Sequence, residues 1–136
     1  MRADEAAYLD VACRRFITAI QEADPIDKFC DFWEVCEFLS KNLHRKGLST
    51  PVARVAKVLS DHTKKRKADL DKLIVQPLYS IRIDIVHNTI EKPEKIDGKL
   101  LLLEEVAREL IKSKLGLPYT GSLCIDNTLN PGATKP

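Results

Sequence analysis

Apolar residues recur at helical spacing along most of this 136-residue chain, and this periodicity limits the fold more than any other feature. A stripe of this kind buries one side of a helix against its neighbours. Five segments carry it: residues 3–22, residues 25–45, a stretch that begins after Ser49, residues 68–90 and residues 96–115. We predict no strand. The sequence therefore predicts an all-α fold, a compact five-helix bundle over residues 1–115, followed by an irregular C-terminal arm or tail over residues 116–136.

Local signals indicate where several helices begin or bend. Asp24 followed by Pro25 is typical of an N-cap and a first helical residue, so the second helix should begin there. Ser49 is expected to cap the third helix. Pro77 lies inside the fourth segment and predicts a kink or a break near Gln76.

Composition excludes several classes of protein. Apolar residues make up 44% and charged residues 31% of the chain, which is typical of a globular domain. A net charge of +2 is too small to indicate nucleic-acid binding by itself. We see no signal peptide and no apolar run of membrane-spanning length, so we expect a cytoplasmic protein that does not contact a membrane.

His44 and His62 stand in polar surroundings and are expected to face solvent.

The cysteines do not form a metal-binding pattern. None of the four is part of a CxxC pair, and no histidine lies at zinc-ligand spacing from them. We therefore expect reduced thiols, mostly in the core, with no metal and no cofactor. The four are Cys13, Cys30, Cys36 and Cys124.

The segment Gln76–Glu91 is predicted to form a helix with polar and apolar residues distributed unevenly around it. Polar residues fall on one stripe and a broad apolar arc lies opposite, with Arg82 near the middle of that arc. Burying a charge is costly unless it finds a partner. Arg82 is therefore either paired with a carboxylate of a neighbouring helix or placed at a seam between subunits.

His87 follows Arg82 by five residues and gives the segment a possible chemistry. Histidine exchanges a proton near neutral pH, and the arginine guanidinium binds two phosphate oxygens at once in a bidentate contact. Cleavage of RNA without a metal needs both a base and an acid, and a two-fold dimer would supply two copies of the histidine. Asp84 could orient His87. Two further residues could contact phosphate: Ser80 and Asn88. Alternatively, Arg82 ties helices together and His87 is a surface residue.

The segments FCDFWEVCEFL (29–39) and LYSIRIDIVHN (78–88) resemble those of HEPN domains, especially the Apea-like group. Trp33 and Glu37 match an aromatic-rich second helix with a W-x-x-x-E pattern. Tyr79, Arg82 and His87 match a later helix with an L-Y-x-x-R-x-x-x-x-H pattern. The likeness covers roughly residues 10–112 in helix order and spacing.

The resemblance implies an all-α bundle that dimerises. Many members are metal-independent ribonucleases of toxin–antitoxin, abortive-infection or antiviral systems, with the Arg and His residues of both protomers in one cleft. It makes Arg82 and His87 the catalytic candidates, and it implies RNA as substrate and an antitoxin or a defence-complex protein as partner. DNA is not expected.

Three points about the function and the site remain open. Active members often carry a polar residue after the arginine, whereas this chain has Ile83, so a non-catalytic module that binds RNA, a nucleotide or a partner protein is the alternative. Glu37 is either the buried partner of Arg82 or a polar member of the site, and we favour the pairing.

The basic run Lys64–Lys67 could contact an RNA backbone, although such a run is more often a solvated junction between helices. It consists of Lys64, Lys65, Arg66 and Lys67.

Overall fold

A computed structural model describes residues 3–41, 48–87, 94–121 and 123 of the chain. Within these residues the protein is helical and has no strand, which confirms the all-α prediction. The helices are α1 (Ala3–Gln21), α2 (Pro25–Ser40), α3 (Pro51–Thr63), α4 (Lys67–Leu70), α5 (Gln76–Val86) and α6 (Glu94–Lys114). A π-helical turn, Asp71–Val75, joins α4 to α5. The described chain thus forms five continuous helical segments.

Helix α2 lies at the centre of the bundle, as its aromatic content suggests. It packs against α1, α3, α5 and α6, most extensively against α6 and α1. Three fully buried aromatic side chains supply its core face: Phe29, Phe32 and Trp33. Two aromatic pairs, Tyr8–Phe38 and Phe16–Phe32, show that α1 and α2 run antiparallel.

The caps of α2 and α3 explain where these helices begin. Asp24 caps α2 as predicted, because its side chain accepts a hydrogen bond of 3.0 Å from the backbone N–H of Asp27. The prediction for α3 is wrong by one residue. Thr50, not Ser49, accepts the hydrogen bond from the Ala53 N–H, at 3.1 Å. Thr50 has the extended backbone that an N-cap requires.

Pro77 does not break the helix, although the irregularity predicted near Gln76 is present. The π turn lies immediately before it, and the Gln76 N–H donates to the carbonyl of Asp71, five residues back. A proline inside a regular α-helix would clash with the carbonyl four residues earlier. The wider π turn loosens the backbone at this point, and the chain remains helical from Lys67 to Val86.

The C-terminal arm folds back onto the bundle at its start. Gly116 ends α6 with a φ of +75°, and the Leu117 N–H closes the helix by bonding the Lys112 carbonyl at 2.9 Å. Leu123 is buried in the main core. Residues 42–47 lie outside the described part of the chain, and the last four residues of the second predicted helix, 42–45, are among them. Residues 88–93 and 124–136 also lie outside it. Among the described helices, none is both long enough and apolar enough to cross a membrane.

Candidate functional site

The contact of α5 with α2 positions the predicted site. Leu78 is the fully buried residue of α5, and the ring of Tyr79 lies against the indole of Trp33 with 5.5 Å between ring centroids. One turn further along α5, Arg82 lies within electrostatic reach of Cys30, one turn back on α2. The two helices are therefore antiparallel here, and the C-terminal half of α5 lies beside the N-terminal half of α2.

Arg82 is half-buried, but it does not have the carboxylate partner that we favoured. Among the described residues no ion pair joins Arg82 to Glu37. Glu37 instead accepts a hydrogen bond from the indole N–H of Trp33, one turn earlier on its own helix. The described ion pairs therefore give the predicted pairing no support, and Glu37 instead supplies the acceptor that the buried indole N–H of Trp33 needs. The guanidinium of Arg82 remains at the edge of the α2–α5 contact.

Arg82 lies close enough to Cys30 to act electrostatically on its thiol. Partial burial raises the pKa of the Cys30 thiol, and the nearby Arg82 cation acts in the opposite direction. Glu34, Asp27 and Asp31 raise this pKa further because their negative charges disfavour a thiolate. These three acidic residues, spaced at about one turn from each other, form an acidic ridge along α2 near Cys30.

His87 caps the C-terminal end of α5 and is exposed. Its backbone N–H bonds the Ile83 carbonyl at 3.0 Å, so the residue ends the helix while the imidazole stays open to solvent. Ser80 is exposed, and Asp84 is half-buried and engaged in a polar or electrostatic interaction. Asn88 lies outside the described residues.

Exposed apolar residues lie at the same end of the α2–α5 contact as His87. Val86 is 57% exposed, and Ile26 of α2 is exposed as well. Ile26 lies one turn before Cys30 on α2, and Val86 lies one turn after Arg82 on α5, so the antiparallel pairing of the two helices puts both residues at the same end of the α2–α5 contact. Ile83 is half-buried. We refer to Ile26, Ile83 and Val86 as the apolar seam.

The basic run lies far from this end of α5. Lys64, with a φ of +63°, caps the C-terminus of α3, and Lys67 begins α4, so the run forms the junction between two helices. Fifteen residues of helix separate Lys67 from Arg82, which is roughly 22 Å along the axis. Arg66 pairs with Asp69 at 3.7 Å, and the Lys65 ammonium lies over the ring of Tyr119. The run and the Arg82–His87 pair therefore do not share a cleft within one chain.

The structure contains a buried polar network that sequence reasoning missed. His62, expected to face solvent, has a side chain only 4% exposed, and its Nε2 lies 2.8 Å from Oε1 of Glu109, whose side chain is 1% exposed. Lys112 lies 3.1 Å from the same carboxylate oxygen. The ring of Tyr119 from the arm covers His62 edge-on. A signal was present in the sequence, because Glu109 follows the buried Leu102 by seven residues and therefore shares its helix face.

This network joins α3, α6 and the arm, and it is distinct from the predicted site. Within the described residues, no group of three or more His, Cys, Asp or Glu side chains is placed to hold a metal ion.

Comparisons of the chain with protein-family models, with curated proteins and with solved structures gave no match. The resemblance to HEPN domains therefore rests on the motif residues and on helix order.

Proposed function

We propose that this protein is a metal-independent endoribonuclease of the HEPN type that acts as a homodimer. Its role would be that of a toxin or of a component of antiviral or abortive-infection defence. The observation that carries the proposal is the end of α5, where an exposed histidine adjoins exposed apolar residues. Exposed apolar surface favours association, and a two-fold contact through the apolar seam would bring two copies of His87 towards each other.

The chemistry then follows from the residue types. His87 of one protomer removes the proton from a ribose 2′-hydroxyl, and the 2′-oxygen attacks the adjacent phosphorus. The bond from phosphorus to the 5′-oxygen breaks, and that oxygen takes a proton from the partner's His87. The products are a 2′,3′-cyclic phosphate and a 5′-hydroxyl. Arg82 stabilises the negative charge that develops on the phosphoryl oxygens.

A cleavage assay in EDTA tests this proposal. Wild-type protein should cut a fluorescent single-stranded RNA, and His87→Ala should lose activity by at least about a hundredfold, since general acid–base catalysis contributes that much. Val86→Asp should lose activity together with the dimer, as measured by light scattering. Lys72→Gln, an exposed residue on the π turn, provides the control and should retain full activity. Full activity of His87→Ala would refute the proposal.

The acidic ridge favours a second candidate, a non-catalytic binding module. Asp27, Asp31 and Glu34 lie close enough to Cys30 to act on its thiol, and they would repel the phosphates of an RNA strand laid across α2. Ile83 also stands where active HEPN members often have a polar residue. A well-folded dimer that cleaves no RNA at any pH, but captures a partner protein through the end of α5, would favour this candidate.

A further inference from the structure

Helix α5, which contains Arg82 and ends next to His87, is attached to the bundle by few side chains. Leu78 is its one fully buried residue, whereas α2 has seven. The π turn Asp71–Val75 precedes α5 directly, so the helix does not continue from a regular α-helical turn. The position of α5 on α2 therefore depends on a small number of contacts, and each of them has a large influence.

Tyr79 supplies one of these contacts. Its ring meets the indole of Trp33, with 5.5 Å between the ring centroids and 43° between the ring planes. Trp33 is 1% exposed and is held by the close-packed core around it. Arg82 follows Tyr79 by three residues, which is less than one helical turn, so a displacement of the Tyr79 ring also displaces Arg82. The orientation of the indole therefore influences where Arg82 lies.

The orientation of the indole is in turn fixed by a hydrogen bond. The Trp33 Nε1–H donates to Oε1 of Glu37, one turn later on α2. An indole carries a single N–H donor, and a buried donor that loses its acceptor is costly. Without the Glu37 acceptor, the ring would satisfy its N–H only by turning towards another acceptor. Glu37 therefore selects one orientation of the Trp33 ring.

Arg82 and Cys30 form the other end of this series of contacts. The half-buried guanidinium of Arg82 lies close enough to Cys30 to act on its thiol. Cys30 and Trp33 are three residues apart on α2 and so share a face of that helix. This face carries both the ring that Tyr79 rests on and the thiol that Arg82 approaches. The separation of Arg82 and Cys30 therefore depends on how Tyr79 packs against Trp33.

We propose that Glu37 is a positioning residue for Arg82. The Glu37 carboxylate fixes the Trp33 indole, the indole seats Tyr79, and Tyr79 places Arg82 beside Cys30. This role differs from both roles that the sequence predicts for Glu37, an ion pair with Arg82 and a polar contact in the site. Its importance for RNA cleavage rests on the proposed function, whereas the position of Arg82 beside Cys30 does not.

Two neutral replacements of Glu37 separate its hydrogen bond from its charge. Glu37→Gln keeps an acceptor oxygen, and Glu37→Leu has none. Both variants lose the same negative charge, so a difference between them reports on the acceptor. The chain has one tryptophan, and its indole N–H gives one NMR signal. Glu37→Leu should shift this signal more than Glu37→Gln does.

The effect of Arg82 on Cys30 measures the position of Arg82. Alkylation of Cys30 at about pH 8 is compared with and without Arg82→Gln in each background. In wild-type protein and in Glu37→Gln, Arg82→Gln should slow the reaction about twofold or more, because the cation that favours the thiolate is lost. In Glu37→Leu, Arg82→Gln should leave the rate unchanged. A general loss of stability would alter both rates of a pair and leave their ratio intact.

Two further variants test the route and its specificity. Tyr79→Leu removes the ring contact while the hydrogen bond of Trp33 remains, and it should abolish the effect of Arg82→Gln as Glu37→Leu does. Glu34→Gln is the matched control, because Glu34 is a neighbouring carboxylate of α2 that also acts on Cys30. It should speed alkylation and leave the effect of Arg82→Gln at its full size.

The ratios decide the proposal. Equal effects of Arg82→Gln in wild-type protein, Glu37→Leu and Tyr79→Leu would overturn it, as would no effect in the wild type. Matching ratios for Glu37→Gln and Glu37→Leu would assign the role to the charge and also refute it.

RNA cleavage is measured separately on the same variants. Glu37→Leu should lower kcat about as much as Arg82→Gln does, and Glu37→Gln should restore it. A cleaving wild type with full kcat in Glu37→Leu would refute the positioning role. A wild type that cleaves no RNA would refute the proposed function, and the alkylation ratios would still decide where Arg82 lies.

Discussion

The most buried charged residue in the described part of the chain is Glu109, and its surroundings explain how it is tolerated. His62 and Lys112 both lie within ion-pair distance of the carboxylate. Removing one member of a buried pair leaves the other poorly solvated, which costs more than the pair contributes. His62 is therefore a structural residue, and its polar sequence context gave no sign of its burial.

His62→Ala should lower the free energy of unfolding by about 3 kcal/mol, because it removes the closest partner of a buried carboxylate and leaves a cavity. Urea unfolding followed by circular dichroism measures the change. His87→Ala is the matched control, since His87 is exposed, and its effect should stay within about 0.5 kcal/mol. Equal unfolding midpoints for the two variants would contradict the buried network.

The Cys30 thiol should report on the position of Arg82. Its pKa is raised by partial burial, so it reacts slowly near neutral pH and faster as the pH rises through the thiol pKa. Arg82→Gln removes the cation that lowers this pKa. The variant should therefore hold less thiolate and alkylate more slowly at about pH 8.

Peptide mapping by mass spectrometry follows this reaction at each cysteine. Cys13 is an internal reference in the same sample, and Lys28→Gln is the control for loss of a half-buried cation near Cys30. An unchanged rate at Cys30 in Arg82→Gln would show that the two side chains are apart in solution. Cys36, whose pKa is raised by complete burial, should react in neither protein.

At the scale of the helices, local chemistry decides the boundaries. Thr50→Ala should cost about 1 kcal/mol, because it removes the acceptor for the Ala53 N–H at the start of α3. Ser49→Ala also removes one hydroxyl group, from the adjacent residue, and should leave the stability almost unchanged. Thermal unfolding of the two variants compares them directly. A larger loss for Ser49→Ala would mean that the helix begins one residue earlier.

Helices are also the level at which the sequence is most informative. Periodicity located the five helical segments, and the Asp24–Pro25 signal fixed the start of α2. The sequence could not choose between Ser49 and Thr50, because both are good caps and the choice depends on backbone angles. Nor could it place Glu37, since two donors, Arg82 and the Trp33 indole, competed for one carboxylate and only packing decides between them.

At the scale of the whole molecule, the arm after α6 belongs to the fold. Leu123 is 2% exposed and joins the main core, and the Leu123 N–H donates to the hydroxyl of Tyr119 at 3.3 Å. We predicted a helical domain over residues 1–115 and an irregular arm or tail over residues 116–136. Leu123 shows that this arm contributes to the core of the helical domain.

Leu123→Ala should therefore destabilise the protein by about 2–4 kcal/mol, as expected for a buried leucine, although the residue lies beyond the last helix. Denaturant unfolding measures the loss. Leu117→Ala is a suitable control because Leu117 lies in the same arm and is exposed. Similar stability of both variants would show that the arm is dispensable for folding.

The central position of α2 has a consequence for synthesis of the protein on the ribosome. The helix precedes its most extensive partner, α6, which is the last helix that the structure describes. Until α6 has left the ribosome, the aromatic face of α2 is covered only by α1, α3 and α5. A nascent chain that ends before α6 should therefore present part of this face, formed by Phe29, Phe32 and Trp33, to molecular chaperones.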